Sequence, residues 1–427
     1  MRIGIDDTDA PDGMCTTYLG AVLSRRLAGA GFGVGIPRLL RLNPNVTWKT
    51  RGNAAICIEA EGDPDEAFRI ACGCVEELAV LTAPGTHPGV AVVEEIPDPA
   101  FYRQALQDFC TIDEACSVLE AAGARYRGWK LGRGLIGAAA AVSARLPDVT
   151  WELLVYRTPG RWGTRREIDR PSFFLSEDAT SPRTWDTVDR RQKIVVCSPH
   201  TPDPVLFGIR GESPWWVAYA RGFISTEPAG MEQLYLTNQS TDGHLLPGKI
   251  GTLEEGRSYR VAGVVAGTPV TGRGGHVMVP IADGGEVLRC MAYEPTKGFR
   301  EVVRALRAGD SVEACGSYKG GSLNLEKIRV AALAEDAEPG PPVCGTCGKR
   351  MTSAGSGKGY KCRSCGARAM DPEIRRHPRA VACGWHEVPP CARRHLARPL
   401  VRGGANGKDD TPGGIPDHEG CRVHETG

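Results

Sequence analysis

The sequence predicts an α+β protein of several domains, and three observations predict it. Strands and helices alternate over the first hundred residues, five strands interrupted by one helix lie between 258 and 332, and two Cys-x2-Cys pairs follow. At 427 residues, a prior of roughly 150 residues per domain leaves room for about three domains.

Ile3 and Ile5 open a strand that runs into Asp6-Asp7-Thr8-Asp9. Leu19, Leu23 and Leu27 recur at helical spacing and give the next element one apolar stripe. Strands at 39–40 and 54–58, a helix over 64–81 and a strand at 90–94 complete a β-α-β-β-α-β order. That order is the split, ferredoxin-like arrangement. Residues 100–230 repeat the theme less cleanly, with a helix over 101–121 and strands at 126–130 and 151–156; 157–215, dense in Arg, Pro and Gly, predicts long loops. From 258 the pattern sharpens: strands at 258–270, 276–283 and 286–294, a helix at 296–306, then strands at 310–318 and 323–332. Three strands, a helix and two strands is the order of the OB-fold barrel, a frequent binder of single-stranded nucleic acid. Residues 336–342 read as a linker, and the last stretch, from 403 to 427, is too poor in apolar residues to build a core.

Composition narrows the functional classes. Charged residues make up 24% of the chain but the net charge is only +1, so any nucleic-acid contact must come from local basic patches. No stretch approaches about 18 consecutive apolar residues, which excludes a helical membrane span, and the acidic strand at the N-terminus does not read as a signal peptide. The sixteen cysteines are therefore expected to be reduced thiols of a cytoplasmic protein, some of them holding metal.

Cys344-x2-Cys347 and Cys362-x2-Cys365 are separated by fourteen residues, with glycine beside each pair. This spacing lets four thiolates face one tetrahedral zinc ion, and a closed four-thiolate site is structural. Lys349, Arg350, Lys358, Lys361, Arg363 and Arg368 make this ribbon basic. Cys383, His386, Cys391 and His395 suit either a second zinc or an ordinary loop and helix; Arg393 and Arg394 among them suit an RNA backbone.

At the other end, Asp6, Asp7 and Asp9 crowd the end of a strand. Carboxylates so placed repel unless a cation sits among them, and an oxygen-only set favours Mg2+; the plain alternative is a solvated turn capping a helix. Gly13-Met14-Cys15-Thr16-Thr17 opens the following helix, whose outward amides favour a polyphosphate beside Thr16 and Thr17, although both are also ordinary capping residues. Lys49-Thr50-Arg51-Gly52-Asn53 forms a second basic turn able to reach the same phosphates. No Walker or kinase glycine loop is present.

These stretches, with Arg41-Leu42-Asn43-Pro44, Trp162-Gly163-Thr164-Arg165-Arg166, the run from Pro202 to Gly211, Thr237-Asn238-Gln239-Ser240-Thr241-Asp242 and Arg393-Arg394-His395-Leu396, resemble the archaeal tRNA-agmatinylcytidine synthetase family. The match runs in family order from the first residue to about 400; Cys391 has no counterpart expected from it. The resemblance implies a kinase-like ATP domain (1–100), a ferredoxin-like domain (101–230), an OB-fold (231–335), and a zinc ribbon with a basic C-terminal region (343–400). It implies a ligase that joins agmatine to the 2-carbon of the wobble cytidine in the CAU anticodon of isoleucine tRNA, while ATP becomes AMP and phosphate. Carried over by residue, Asp6, Asp7 and Asp9 hold Mg2+ and Thr16 is the phosphorylated threonine; Thr17, Lys49, Arg51, Gly52 and Asn53, read from the residues themselves, are the expected ATP contacts. Agmatine is a dication, for which Asp203 is the candidate carboxylate. The rival readings are a non-enzymatic single-strand binder, which leaves the aspartates unexplained, and a metal-dependent phosphoesterase, which needs no ATP.

Overall fold

The computed structural model describes residues 1–11, 13–50, 52–335 and 337–403, so Arg51 and the tail from 404 lie outside the described residues. The chain divides into two compact units: 1–246 with 256–258 and the segment from 389 onward, and 247–255 with 259–388.

The first unit is built on one sheet that runs through both of its halves. From one edge its strands are Arg125–Gly128, Gly89–Val93, Arg2–Asp6, Ala54–Glu61, Arg38–Arg41, Ala229–Thr237, Thr150–Arg157, Val205–Gly211 and Thr184–Trp185, with Gly33–Val34 added to Ala54–Glu61. Its neighbours pair antiparallel except Arg38–Arg41 with Ala229–Thr237, where Leu236 meets Arg38 and Thr237 meets Leu39. Alternation along the strands sends side chains to two cores. Ile56 and Ile58 join Leu19, Leu23 and Val75 of the helices Thr16–Gly29 and Pro64–Leu78. Ala55 and Cys57 face the helices Ala100–Gln107, Ile112–Ala121 and Gly134–Ser143.

The helix expected over 101–121 is two helices. Thr111 starts the second with a capping box, its hydroxyl accepting from Glu114 N while the Glu114 carboxylate accepts from Thr111 N. The segment 157–215, read as long loops, also holds the helix Arg170–Thr180 and the strand Val205–Gly211. Nine of the ten residues of Gly134–Ser143 are buried, so this helix lacks the polar face that periodicity detects. It approaches the sheet closely: a Cβ on Gly4 would lie 2.4 Å from the Ala138 carbonyl oxygen.

The second unit contains a closed five-stranded barrel. Its ring runs Ser258–Val265, Val277–Asp283, Glu286–Ala292, Ser322–Ala332, Ser311–Lys319 and back to Ser258–Val265. Arg289 opposite Ser322 begins a parallel pairing, and the helix Phe299–Arg304 bridges the third and fourth strands in sequence. Val277, Val279 and Ile281 point inward at period two. A sixth strand, Gly384–Glu387, adds antiparallel to Ser322–Ala332 and places His386 opposite Ile328. Among the described residues no helix is long and apolar enough to cross a membrane.

Candidate active site and metal centre

The Asp6-Asp7-Thr8-Asp9 stretch leaves the sheet between the Arg2–Asp6 strand and the Thr16–Gly29 helix. Asp6, Asp7 and Asp9 line a cleft of about 700 Å³, counting its open mouth, together with Lys49, Gly52, Asn53 and Arg133. Asp7 turns the chain with φ at +56°, a conformation that only short polar residues and glycine adopt readily. Its carboxylate takes both arms of Arg133, Nε to Oδ2 at 2.9 Å and Nη2 to Oδ1 at 3.1 Å. Burial nonetheless pushes the Asp7 carboxyl up to about 6, helped by Asp9 and opposed by Arg133. Burial also holds Asp6 well above the carboxylate range, with Asp7 and Asp9 adding to it. Two neighbouring half-buried carboxyls, one of them paired with a guanidinium, form a donor set suited to a hard divalent cation.

Gly137 seats Asp6. A Cβ there would lie 1.8 Å from Asp6 Oδ2 and 2.7 Å from its Cβ. Gly137→Ala is expected to swing Asp6 out of the cleft, to cost about 1–3 kcal/mol of stability, and to lower turnover at least about tenfold. Urea unfolding and steady-state assay check this together; an unchanged midpoint and rate would mean that Asp6 is not held in this way.

Asp9 Oδ1 accepts from Thr16 N at 2.8 Å and satisfies a first-turn donor of the helix, whose N-cap is Cys15. Thr16 is 3% exposed and outside the cleft lining, and its hydroxyl lies 3.4 Å from Asp9 Oδ1 and 3.1 Å from Thr8 Oγ1. Thr17 is half-buried, its hydroxyl 3.0 Å from Cys15 Sγ. Burial pushes the Cys15 thiol up to about 12, so at neutral pH it is a capping group and not a nucleophile.

On the facing side, Lys49 Nζ donates to the Pro44 carbonyl and Asn53 Nδ2 to the Asn43 carbonyl at 3.1 Å. Asp203 lies away from the cleft lining. Its buried carboxylate accepts from Val205 N at 2.9 Å and from the Thr201 hydroxyl, with Arg166 at 3.6 Å. The segment from 389 returns to the first unit, where Arg393 pairs with buried Asp186 and Arg394 donates to Asn45 Oδ1 at 3.1 Å.

In the ribbon, the ligand atoms of Cys344, Cys347, Cys362 and Cys365 all lie within 4.8 Å of one another. The backbone N–H groups of Thr346 and Cys347 draw the Cys344 thiol down to about 6, and those of Cys365 and Ser364 lower Cys362. Two turns that prepare thiolates, closing on one centre, fit a tetrahedral zinc ion. The alternative second centre has its imidazoles engaged elsewhere: His386 Nε2 is 2.9 Å from the Ala382 carbonyl and His395 Nδ1 is 2.7 Å from Arg210 Nη2.

The TiaS TCKD domain model matches residues 2–130, the TiaS FLD domain model 132–244 and the TiaS C-terminal zinc ribbon model 341–381. A 2-agmatinylcytidine synthetase of isoleucine tRNA, the TiaS of Methanocorpusculum labreanum, is 53% identical over 403 residues, covering 94% of this chain and 97% of its own. The chain belongs to the TiaS family. The TiaS of Archaeoglobus fulgidus is 43% identical over 412 residues, 95% of this chain and 98% of its own. A crystal structure of TiaS with its isoleucine tRNA and ATP matches with a TM-score of 0.85 at 42% identity, covering 96% of this chain and 98% of that one. A complex of TiaS with the same tRNA, AMPCPP and agmatine matches at 0.84 and 40%, with the same coverage.

Arg133 is the site residue that sequence reading did not single out. It stands 126 residues from Asp7, and its one local signal is the Gly-Arg-Gly run at the head of an apolar helix.

Proposed function

We propose that this chain joins agmatine to the 2-carbon of the wobble cytidine in the CAU anticodon of isoleucine tRNA, with ATP converted to AMP and phosphate. The observation that carries this reading is the facing of Asp6, Asp7 and Asp9 with Lys49, Gly52 and Asn53 across one cleft, in a chain whose relatives bear that activity in their names. A ring carbonyl is a poor electrophile and oxide a poor leaving group, so phosphorylating the oxygen first lets a neutral amine displace phosphate.

In this reading the first half is a kinase-like ATP domain, the second a ferredoxin-like domain, and the barrel an OB-fold that grips RNA beside the basic ribbon. Asp6, Asp7 and Asp9 hold Mg2+, which supplies charge neutralisation for the triphosphate. Arg133 fixes Asp7 by its bidentate pair. Of the two phosphoryl groups that ATP loses on becoming AMP, one goes to the ring oxygen and leaves with it as phosphate. The other goes to the Thr16 hydroxyl, whose proton passes to Asp9, 3.4 Å away, once Thr8 releases the oxygen, and is then released to water as a second phosphate. Thr17, Lys49, Arg51, Gly52 and Asn53 meet ATP, and Arg394 meets RNA while Arg393 anchors the returning segment on Asp186. For agmatine we assign Asp203, a buried carboxylate that now accepts from the Thr201 hydroxyl and Val205 N and would exchange that hydroxyl for the cation.

The test is a pair of tRNA transcripts that differ at the wobble base. The CAU transcript should gain agmatine and the UAU transcript should not; equal modification of both would remove cytidine from the reading. A single-strand binder would bind either one and leave ATP intact.

A further inference from the structure

Across from the aspartates, the first unit gathers positive charge that the reading above leaves unused. Arg41 ends its strand with Nε donating to Gln239 Oε1 at 3.3 Å, and among the described residues no carboxylate pairs with it. Its Nη1 lies beneath Gly52, where a Cβ would come within 2.6 Å of it and within 3.7 Å of His395 Nε2. The guanidinium and the imidazole therefore share the space under one glycine.

His395 arrives from the returning segment, and Arg210 fixes its tautomer. A guanidinium only donates, so Nδ1 accepts from Arg210 Nη2 at 2.7 Å and the ring proton stands on Nε2, the atom nearest Gly52. Arg210 is itself held, with Nε on Glu152 Oε1 at 3.2 Å and Nη1 at 3.7 Å from Asp186. Burial, with Arg41, Arg210 and Lys49 around it, keeps the imidazole neutral. Burial and Arg210 also pull Arg41 down to about 10, with Glu152 and Asp9 opposing. Arg210 is neutralised by Glu152 and Asp186, whereas among the described residues the Arg41 guanidinium has only the Gln239 amide oxygen at hydrogen-bond distance, so an arriving anion would gain a charge-assisted partner there.

We propose that Arg41 and His395, beneath Gly52, form a phosphoryl-binding subsite. This rests on the functional reading above and extends it to groups that reading does not assign. A phosphoryl group presents several acceptor oxygens, so one can take an Arg41 Nη–H and another the His395 Nε2–H, while glycine at 52, having no side chain, is what lets Arg41 Nη1 come this close to the edge of the cleft. Two sources share this chemistry: the polyphosphate of ATP, since Lys49 and Gly52 line the aspartate cleft, and a backbone phosphate of the tRNA.

The test uses the full chain as Arg41→Gln, His395→Ala and Gly52→Ala, the last moving both groups without removing either. Affinities for AMPCPP, adenosine and isoleucine tRNA are measured beside melting temperatures. A nucleotide source predicts AMPCPP binding weaker by about tenfold or more with adenosine unchanged. An RNA source predicts weaker tRNA binding, with the slope of log affinity against log salt reduced by about one for Arg41→Gln. Either result supports the subsite and names its source. Unchanged affinity for AMPCPP and tRNA in all three folded variants overturns it, as does an equal loss for adenosine. Wild-type agmatine transfer is assayed in parallel: an active wild type with unaffected variants ends the subsite alone, whereas an inactive wild type ends the functional reading.

Discussion

Asp7→Asn is expected to lose at least about a thousandfold in tRNA modification while melting no lower than the wild type at pH 7. Asparagine is nearly isosteric, tolerates the left-handed backbone at +56°, and keeps one oxygen for Arg133. What it removes is charge. The Asp7 carboxyl is raised from 3.8 to about 6 because burial, with Asp9, outweighs Arg133. An acid whose folded value is raised costs stability as pH climbs through that window, so above it the charged form is a burden that asparagine lifts. In the proposed reading the same charge would hold the Mg2+ that neutralises the triphosphate. Activity and stability should therefore move in opposite directions, and a melting curve beside a product assay reads both. A modifying Asp7→Asn enzyme would refute the assignment.

The second large effect is on the ribbon. Cys344→Ser with Cys362→Ser is expected to remove one equivalent of zinc and unfold the module, because binding free energy of about 10–16 kcal/mol in such sites is folding free energy. The ribbon's buried apolar cluster is only Cys344, Met351 and Cys362, with Tyr360, Ala367 and Ala369 partly buried against it, too little to hold a fold alone. The Cys365 thiol, facing the other three sulfurs, is pushed up to about 12 and should give up its proton as zinc arrives. Metal analysis and hydrogen exchange across 344–369 check this: zinc content equal to wild type, or an exchange pattern that stays protected, would contradict it.

Signals that are local in sequence were legible. The ribbon spacing needs twenty-two residues, and the stripe of Leu19, Leu23 and Leu27 or the alternation of Val277, Val279 and Ile281 needs fewer. The barrel was readable because Val277–Asp283 alternates and glycine pairs at 284–285 and 320–321 mark the turns between strands. The helix Gly134–Ser143 was missed because Ala138, Ala139, Ala140 and Ala141 are all buried, and a helix apolar on every side has no period to find. The strand Ala229–Thr237 pairs with Arg38–Arg41 across 198 residues, and no local pattern reports such a partner. The same distance hid the site's counter-charges. Asp7 and its glycine-bearing counterpart at 49–53 are short motifs, whereas Arg133 and the returning His395 reach the cleft region only through the fold.

Incubating the chain with isoleucine tRNA, ATP and labelled agmatine tests the central claim most directly. The account predicts label in the tRNA at the wobble cytidine, with one AMP formed per agmatine joined. Label that stays free while the tRNA binds and ATP persists would contradict it.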